Sequence, residues 1–597
     1  MVVSINERPV IKKLVVAGKD EVWYEMSAGT MLEFAASNGD IDTSDQLNIF
    51  EAFQKVFIIN GAKLKVADFI NTKLTHTALG TAHARGDILT QATSTATMVV
   101  DFTNTAKTAT YGYVTSGTFD CTNAITGSGS GTGFTSTGID GMLTHAVLTT
   151  AHAAADVLTQ ATTLATMTVE YTDTAKTHTW GRITAGTFNT TNGVTGSGSG
   201  TAFTPTSTDT SPPTWYDWTV YPGGASGTMP AEGYLGCLYR GRCVISANSN
   251  YPHQWYMSKI GDPWNWVYAS TDPLTAAAGN NADAGEIGDI IRALIPYKDD
   301  YLIFGCASTI WVLTGDPAAG GSIDEVDLTI GMFGANSWCF DGDGNLYFWG
   351  TAGIYKVPLG FRSIENLTEI SLPNLVGDED VNPTTHRIIM EYDRKRHGVL
   401  ICITKLSDGS NSNYFYDLKL QGFFPESYPV ECGAYSLFYY AANDNDYADL
   451  LVGCKDGYIR KFDDTAKDDD VGATDDAISS YVVWPIQHLT KDNDKEGRLT
   501  SLTIELSGGA AGGTFSDTDG VSYEIHVGDD AETVIEDIKD GATAFSTGTL
   551  TGTGRKARIR TRARGAWLGI KFYNSTATET WAVNKIFGEV KEAGRIK

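Results

Sequence analysis

The chain reads as an all-β protein: a β-propeller of about six blades, interrupted by two small β-modules in tandem and followed by a β-sandwich-like domain. Three observations predict this. Short apolar strands recur in groups from Leu235 to Phe462, with groups starting near residues 235, 290, 336, 387 and 434, at spacings of 55, 46, 51 and 47. A unit within Leu74–Thr206 occurs twice at an offset of 69 residues, with 41 identities in 64 aligned positions. Gly (64 residues), Thr and Ser abound while long helical periodicities are scarce, as in strands joined by turns. Small antiparallel sheets repeated at this period are how propeller blades read.

Residues 1–73 are expected to form one N-terminal blade, from the runs Val22–Glu25, Met31–Phe34, Lys55–Asn60 and Leu64–Phe69. Residues 74–142 and 143–211 are the first and second inserted β-modules. LTHTALGTAHARGDILTQAT aligns with LTHAVLTTAHAAADVLTQAT, so equivalent core positions such as Met98 and Met167, or Phe119 and Phe188, follow from the offset. Loops accept such insertions because closure entropy grows slowly with length. On this reading the modules protrude, and deleting Thr75–Thr206 leaves the propeller folded.

Residues 212–464 hold the remaining blades. The clearest runs Ile290–Ile295, Tyr301–Phe304, Thr309–Leu313, each triplet belonging to one sheet. An acidic connector at 465–477, too charged to pack, leads to an all-β docking domain at 478–597.

The net charge of −27 and pI near 4.7 argue against general affinity for nucleic acid through phosphate contacts. None of the eight cysteines forms a C-x-x-C pair, and several lie in apolar strands, so buried free thiols are expected in place of a Cys237–Cys243 bridge. The N-terminus MVVSINERPVIKKL has no apolar signal-peptide core, and no apolar run reaches the ~20 residues that span a bilayer.

The stretch Tyr251–Ser270 (YPHQWYMSKIGDPWNWVYAS) and the stretch Gly285–Pro317 carry a G-D-P-x-x-W turn, Gly261, Asp262, Pro263 and Trp266, and a W-V-L-T-G strand end, Trp311 to Gly315. With the late run Arg558–Ser575, these resemble the tail-nozzle proteins of short-tailed bacteriophages, also called packaged-DNA stabilisation or tail tubular B proteins. The resemblance covers roughly Tyr234–Phe462 and Arg555–Val590; the 69-residue duplication lies outside it. It implies a structural virion protein without catalytic activity or cofactor, a hexameric ring of propeller subunits around the DNA exit channel. Portal-side adaptor proteins would be its partners, with tail fibres or spikes and a distal plug as further ones. DNA would pass without sequence-specific binding, and assembly would take place in the host cytoplasm.

Other constellations point elsewhere only weakly. Asp341–Asn345 (DGDGN) mimics half an EF-hand loop, but Leu346 and Ala352 stand where Gly and Glu belong, so a hairpin turn explains it. His76 and His83, repeated as His145 and His152, lack zinc spacing and cysteine company. The cluster Asn443–Asp449 fits an exposed capped turn. A carbohydrate-binding adhesin or tailspike would need exposed Trp or Tyr platforms on the inserts. A propeller glycosidase would need two carboxylates facing a cleft, and no spacing names such a pair.

One charged feature stands apart. Arg558, Arg560, Arg562 and Arg564 occupy alternate positions, hence one face of a strand, extended by Arg555 and Lys556. Either this is a solvated face, or it docks an acidic neighbour or nucleic acid through bidentate arginine contacts, the portal-side adaptor being the expected partner.

Overall fold

The computed structural model describes residues 2–5, 11–220, 227–268, 271–279, 286–327, 329–361, 363–463, 466–472, 475–492, 494–506, 520–550 and 556–595. Gly285, Ala269, Ser270 and Arg555 from the readings above lie outside them. The protein is all-β. Among the described residues, helix is confined to Leu375–Glu379, Ala531–Lys539 and a few single 3-10 turns. None is long and apolar enough to cross a membrane. By its internal contacts the chain divides into residues 1–401 with 416–423 and 436–453, and residues 402–415 with 424–435 and 454–597.

Seven antiparallel sheets of three or four strands in meander order are found among the described residues. Every triplet expected after Leu235 falls within one sheet. The sheet holding Ile291–Tyr297, Tyr301–Cys306 and Ile310–Thr314 adds Ser322–Asp327 as a fourth, largely exposed strand. Alternation explains these strands: Leu302, Phe304 and Leu313 face one neighbouring sheet while Ile303 and Val312 face the other.

The single N-terminal blade is corrected to two sheets. Val2–Ile5, Ile11–Gly18, Glu21–Ser27 and Thr30–Phe34 make the first. Asn48–Ala52, Lys55–Asn60 and Lys63–Asp68 make the second, completed by Thr214–Asp217 from beyond the insertion. Sequence adjacency hid that partner, because 145 residues separate Lys63–Asp68 from the strand that pairs with it.

Each sheet packs on the next. Val15, Val22 and Phe34 share a core with Val56, Ile58 and Ala67. Phe57 and Ile59 share one with Cys243 and Ile245. Val244 and Trp255 pack with Leu294 and Phe304, and Ile295 and Val312 with Phe348 and Tyr355. Cys237 pairs across its hairpin with Val244, which turns Cys243 to the opposite face. All eight cysteines are accordingly free, and seven are buried. Met390 N–H donates to Asn336 O at 3.0 Å, Arg394 lies 4.2 Å over the Tyr439 ring, and Lys395 pairs with Asp449 at 2.6 Å. The seventh sheet then meets the first. Lys12 Nζ donates to Ala441 O at 2.8 Å, Asn443 Nδ2 donates to Lys12 O at 3.0 Å, and Tyr440 OH donates to Glu25.

The two modules form one continuous twelve-stranded sheet, in which Gly138–Thr144 pairs with strands of both copies. Their cores match position for position: Met98 with Met167, Phe119 with Phe188, Leu89 with Leu158, Phe134 with Phe203, all buried. Protrusion is corrected. The stacked pair Phe102–Tyr111, with ring centroids 4.4 Å apart, enters the core between the second and third sheets. Its copy Tyr171–Trp180, at 4.7 Å, packs on the core between the first and second. The duplication therefore repeats a docking device as well as a fold.

The described strands after residue 478 form two sheets that pack face to face. Ser480–His488, Trp567–Asn574, Val521–Gly528 and Ser546–Leu550 make one sheet; Lys556–Gly565, Lys495–Leu506 and Val583–Arg595 make the other. Leu502 and Ile504 meet Ile525, Ile570 and Phe572 between them. The helix Ala531–Lys539 was not anticipated. Asp530 caps it, accepting from Thr533 N–H at 2.7 Å, and Val534 and Ile538 are buried. The acidic connector holds more structure than its charge suggested: Asp468–Asp469 pairs with Asp476–Ala477, and Asp468 accepts from Thr578 N–H at 2.7 Å.

Candidate docking surface

The signature residues prove to be joints. Gly261 adopts φ +71°, a turn conformation that favours glycine, and its carbonyl accepts from Arg85 of the first module at 2.8 Å. Asp262 accepts from Trp264 N–H at 3.2 Å and lies 3.8 Å from Arg85; burial raises its carboxyl above the ordinary range. The Pro263 carbonyl accepts from the indoles of Trp218 (2.9 Å) and Trp266 (3.1 Å), both fully buried. Trp311 donates to Thr309 Oγ1 at 3.0 Å and packs on the core between the third and fourth sheets. Gly315, at φ +80°, accepts from Tyr239 OH at 2.9 Å. These residues fasten one sheet to another, and the two buried indoles both satisfy the Pro263 carbonyl of the turn.

The weaker constellations resolve locally. Asp341 accepts from the Asp343 and Asn345 amides at 2.9 and 2.8 Å, so its carboxylate is spent on the hairpin turn. Asp444 accepts from Asp446 N–H at 3.0 Å as a cap. His76 and His145 bond Thr110 and Thr179 at 2.9 Å and pack on Phe134 and Phe203. Burial lowers the pKa of both, holding the imidazoles neutral. Among the described residues no three His, Cys, Asp or Glu side chains are grouped to hold a metal. Of the modules' Trp and Tyr side chains, Trp180 and Tyr111 are buried, Tyr171 is half-buried and Tyr113 is exposed.

The arginine stripe lies where its spacing placed it. Arg558, Arg560, Arg562 and Arg564 are exposed along Lys556–Gly565, while Thr561 and Ala563 between them are buried. This strand is an edge of its sheet. Arg564 pairs with Glu496 at 2.5 Å and Arg558 with Glu589 at 3.6 Å. No ion pair is formed by Arg560 or Arg562 among the described residues. Strand register extends the charge in a way the sequence concealed. Arg564 stands opposite Arg498, which stands opposite Lys591, three exposed cations in one row. Lys585 lies on the same face, opposite Glu505. Like charges across a strand pair repel, and of these three cations Arg564 alone has an ion-pair partner among the described residues.

An apolar slot of about 180 Å³ opens in the same domain, lined by Val482, Trp484, Phe572, Trp581, Val583 and Ile586, with Lys585 also at its wall. Val482 and Trp484 pair with Phe572 and Ile570, residues of the sandwich core, yet remain 45 % and 42 % exposed. The interior face of the sandwich is left uncovered there. Local sequence gave no sign of this slot, since it depends on which strands sit at the edges.

No protein-family model and no curated protein matches the chain. Solved structures do. An exo-β-1,3-galactanase from Phanerochaete chrysosporium, bound to galactose, aligns over 58 % of this chain and 93 % of its own at 10 % identity and TM-score 0.21. A protein of unknown function from Bacteroides thetaiotaomicron aligns over 53 % and 80 %, at 11 % identity and TM-score 0.24. A glycoside hydrolase aligns over 57 % and 90 %, at 13 % identity and TM-score 0.19.

Proposed function

We propose that the protein is a structural virion subunit, the nozzle of a short bacteriophage tail, and that its seven sheets are the blades of a closed propeller. The observation that supports this best is the role of the signature. Gly261, Pro263, Trp266, Trp311 and Gly315, which carry the resemblance to tail-nozzle proteins, are joints between sheets. The hydrogen bonds from the seventh sheet to the first support closure, because in an open array those two sheets would be the far ends. In this reading identical subunits ring the DNA exit channel, retain packaged DNA, and conduct it on ejection. The acidic net charge lets DNA slide without adhering, and the C-terminal arginine face docks the portal-side adaptor.

Electron microscopy of the purified protein, alone and with the portal and adaptor of its phage, tests the reading. Rings with a central channel are expected on the adaptor. A protein that stays monomeric with them, or that binds or hydrolyses polysaccharide on a glycan panel, overturns it in favour of an adhesin or a glycosidase.

A further inference from the structure

The uncovered slot and the basic face belong to one domain, and Lys585 belongs to both. We infer that together they form a single docking surface for an acidic polypeptide segment carrying one bulky apolar side chain. The apolar side chain fills the slot between Trp484 and Trp581, and the carboxylates run over Arg558–Arg564. This deepens the docking element of the nozzle reading and rests on it.

Charge complementarity selects the occupant. Among the described residues Arg564 pairs with Glu496, whereas Arg498 and Lys591 of the same row, and Arg560 and Arg562, make no ion pair. Alternate residues of a strand lie ~7 Å apart, so the four arginines span ~20 Å, the length of about six residues of extended chain. A carboxylate fits the planar fork of arginine at each step.

Two features favour polypeptide over nucleic acid. Glu496, Glu505 and Glu589 are interleaved with the cations, and a continuous phosphate backbone would lie against all three. The slot, lined by tryptophans and aliphatic side chains, suits an apolar anchor of the kind that centres protein interfaces. Exposed Phe587, which faces the same side as Arg558 through Thr503, extends apolar contact onto the basic face.

The test uses the full chain and three fluorescent probes read by anisotropy. These are a short peptide of alternating Glu and Ser with a terminal Trp, the same peptide with Ser in place of Trp, and an oligothymidylate of equal charge. At low salt the Trp-bearing acidic peptide is expected to bind most tightly, and its affinity should fall at least tenfold near 0.3 M salt. Arg560→Ser with Arg562→Ser should weaken both peptides about tenfold; neither arginine holds an ion pair among the described residues, so the fold is kept. Trp484→Ser should reduce the Trp-bearing peptide to the affinity of its Ser counterpart. If Trp484→Ser fails to fold, Val482→Ser at the same slot serves instead.

Absent peptide binding, tighter binding of oligothymidylate, or indifference to the arginine substitutions each overturn the inference. Peptide binding by a protein that forms no ring would keep the docking surface and sink the nozzle reading. Rings without peptide binding would do the reverse.

Discussion

Lys55 and Asp101 form a buried ion pair at 2.9 Å that ties the first inserted module to the sheet the insertion interrupts. Asp68 lies 3.8 Å from the same ammonium, Asn71 donates to both carboxylates, and Arg85 approaches Asp101 at 3.3 Å. The neighbouring carboxylates raise the pKa of Lys55 despite its burial, and Lys55 with Asn71 and Arg85 keeps Asp101 below the ordinary carboxylate range against the same desolvation. Removing one partner of such a pair strands a charge, at a cost of about 3–5 kcal/mol. Asp101→Ala should therefore lower the thermal midpoint by several degrees, and Lys55→Met with Asp101→Leu should recover much of the loss. A midpoint unchanged in Asp101→Ala would show that the pair carries no stability.

Deleting residues 75–206 should not leave a folded remainder. The deletion takes Phe102 and Tyr111 from one inter-sheet core and Trp180 from the next, and it breaks the chain just before Thr214–Asp217 must pair. Expected results are loss of near-ultraviolet circular dichroism and binding of a hydrophobic dye. The milder Phe102→Ala should cost about 3–5 kcal/mol, as for a fully buried ring. A deletion variant that unfolds cooperatively would show that the modules are dispensable ornaments.

Contact between the first and seventh sheets predicts coupled exchange. Tyr440→Phe removes the hydroxyl that donates to Glu25, leaving a buried carboxylate short of a donor, at roughly 1–3 kcal/mol. Amide protection should fall together in Ile11–Gly18 and Ala434–Tyr440. Loss confined to one of those strands would argue against a shared opening unit.

Glu391 gives the pH dependence a sign. Burial raises its carboxyl to about 7. Between the ordinary glutamate range and that value the folded state holds a proton that the unfolded chain has released. Stability therefore falls as pH rises through this window and levels off above it. Glu391→Gln should stabilise the protein by about 1 kcal/mol at pH 8 and change little at pH 4. Equal effects at both values, read from denaturant midpoints, would place the pH dependence elsewhere.

Features set by local chemistry were legible in the amino-acid order. Short continuous apolar runs, as in Tyr301–Cys306 and Gly398–Lys405, fixed strands, turn residues fixed hairpins, and hairpins fixed the meander within each sheet. Identity at constant offset fixed equivalent cores in the two modules, and alternate spacing put four arginines on one face. What lay beyond were pairings between residues distant in the chain. Thr214–Asp217 joined a sheet begun before the insertion, so the stretch expected as one blade became two sheets. Both aromatic pairs of the modules turned inward, because a stacked ring pair is more stable against an apolar core than in water, and only the packed neighbour supplies that core. The row Arg564–Arg498–Lys591 and the slot at Trp484 were likewise invisible. Strand order and register decide which charges align and which edge stays bare, and both are settled only when the sheets pack.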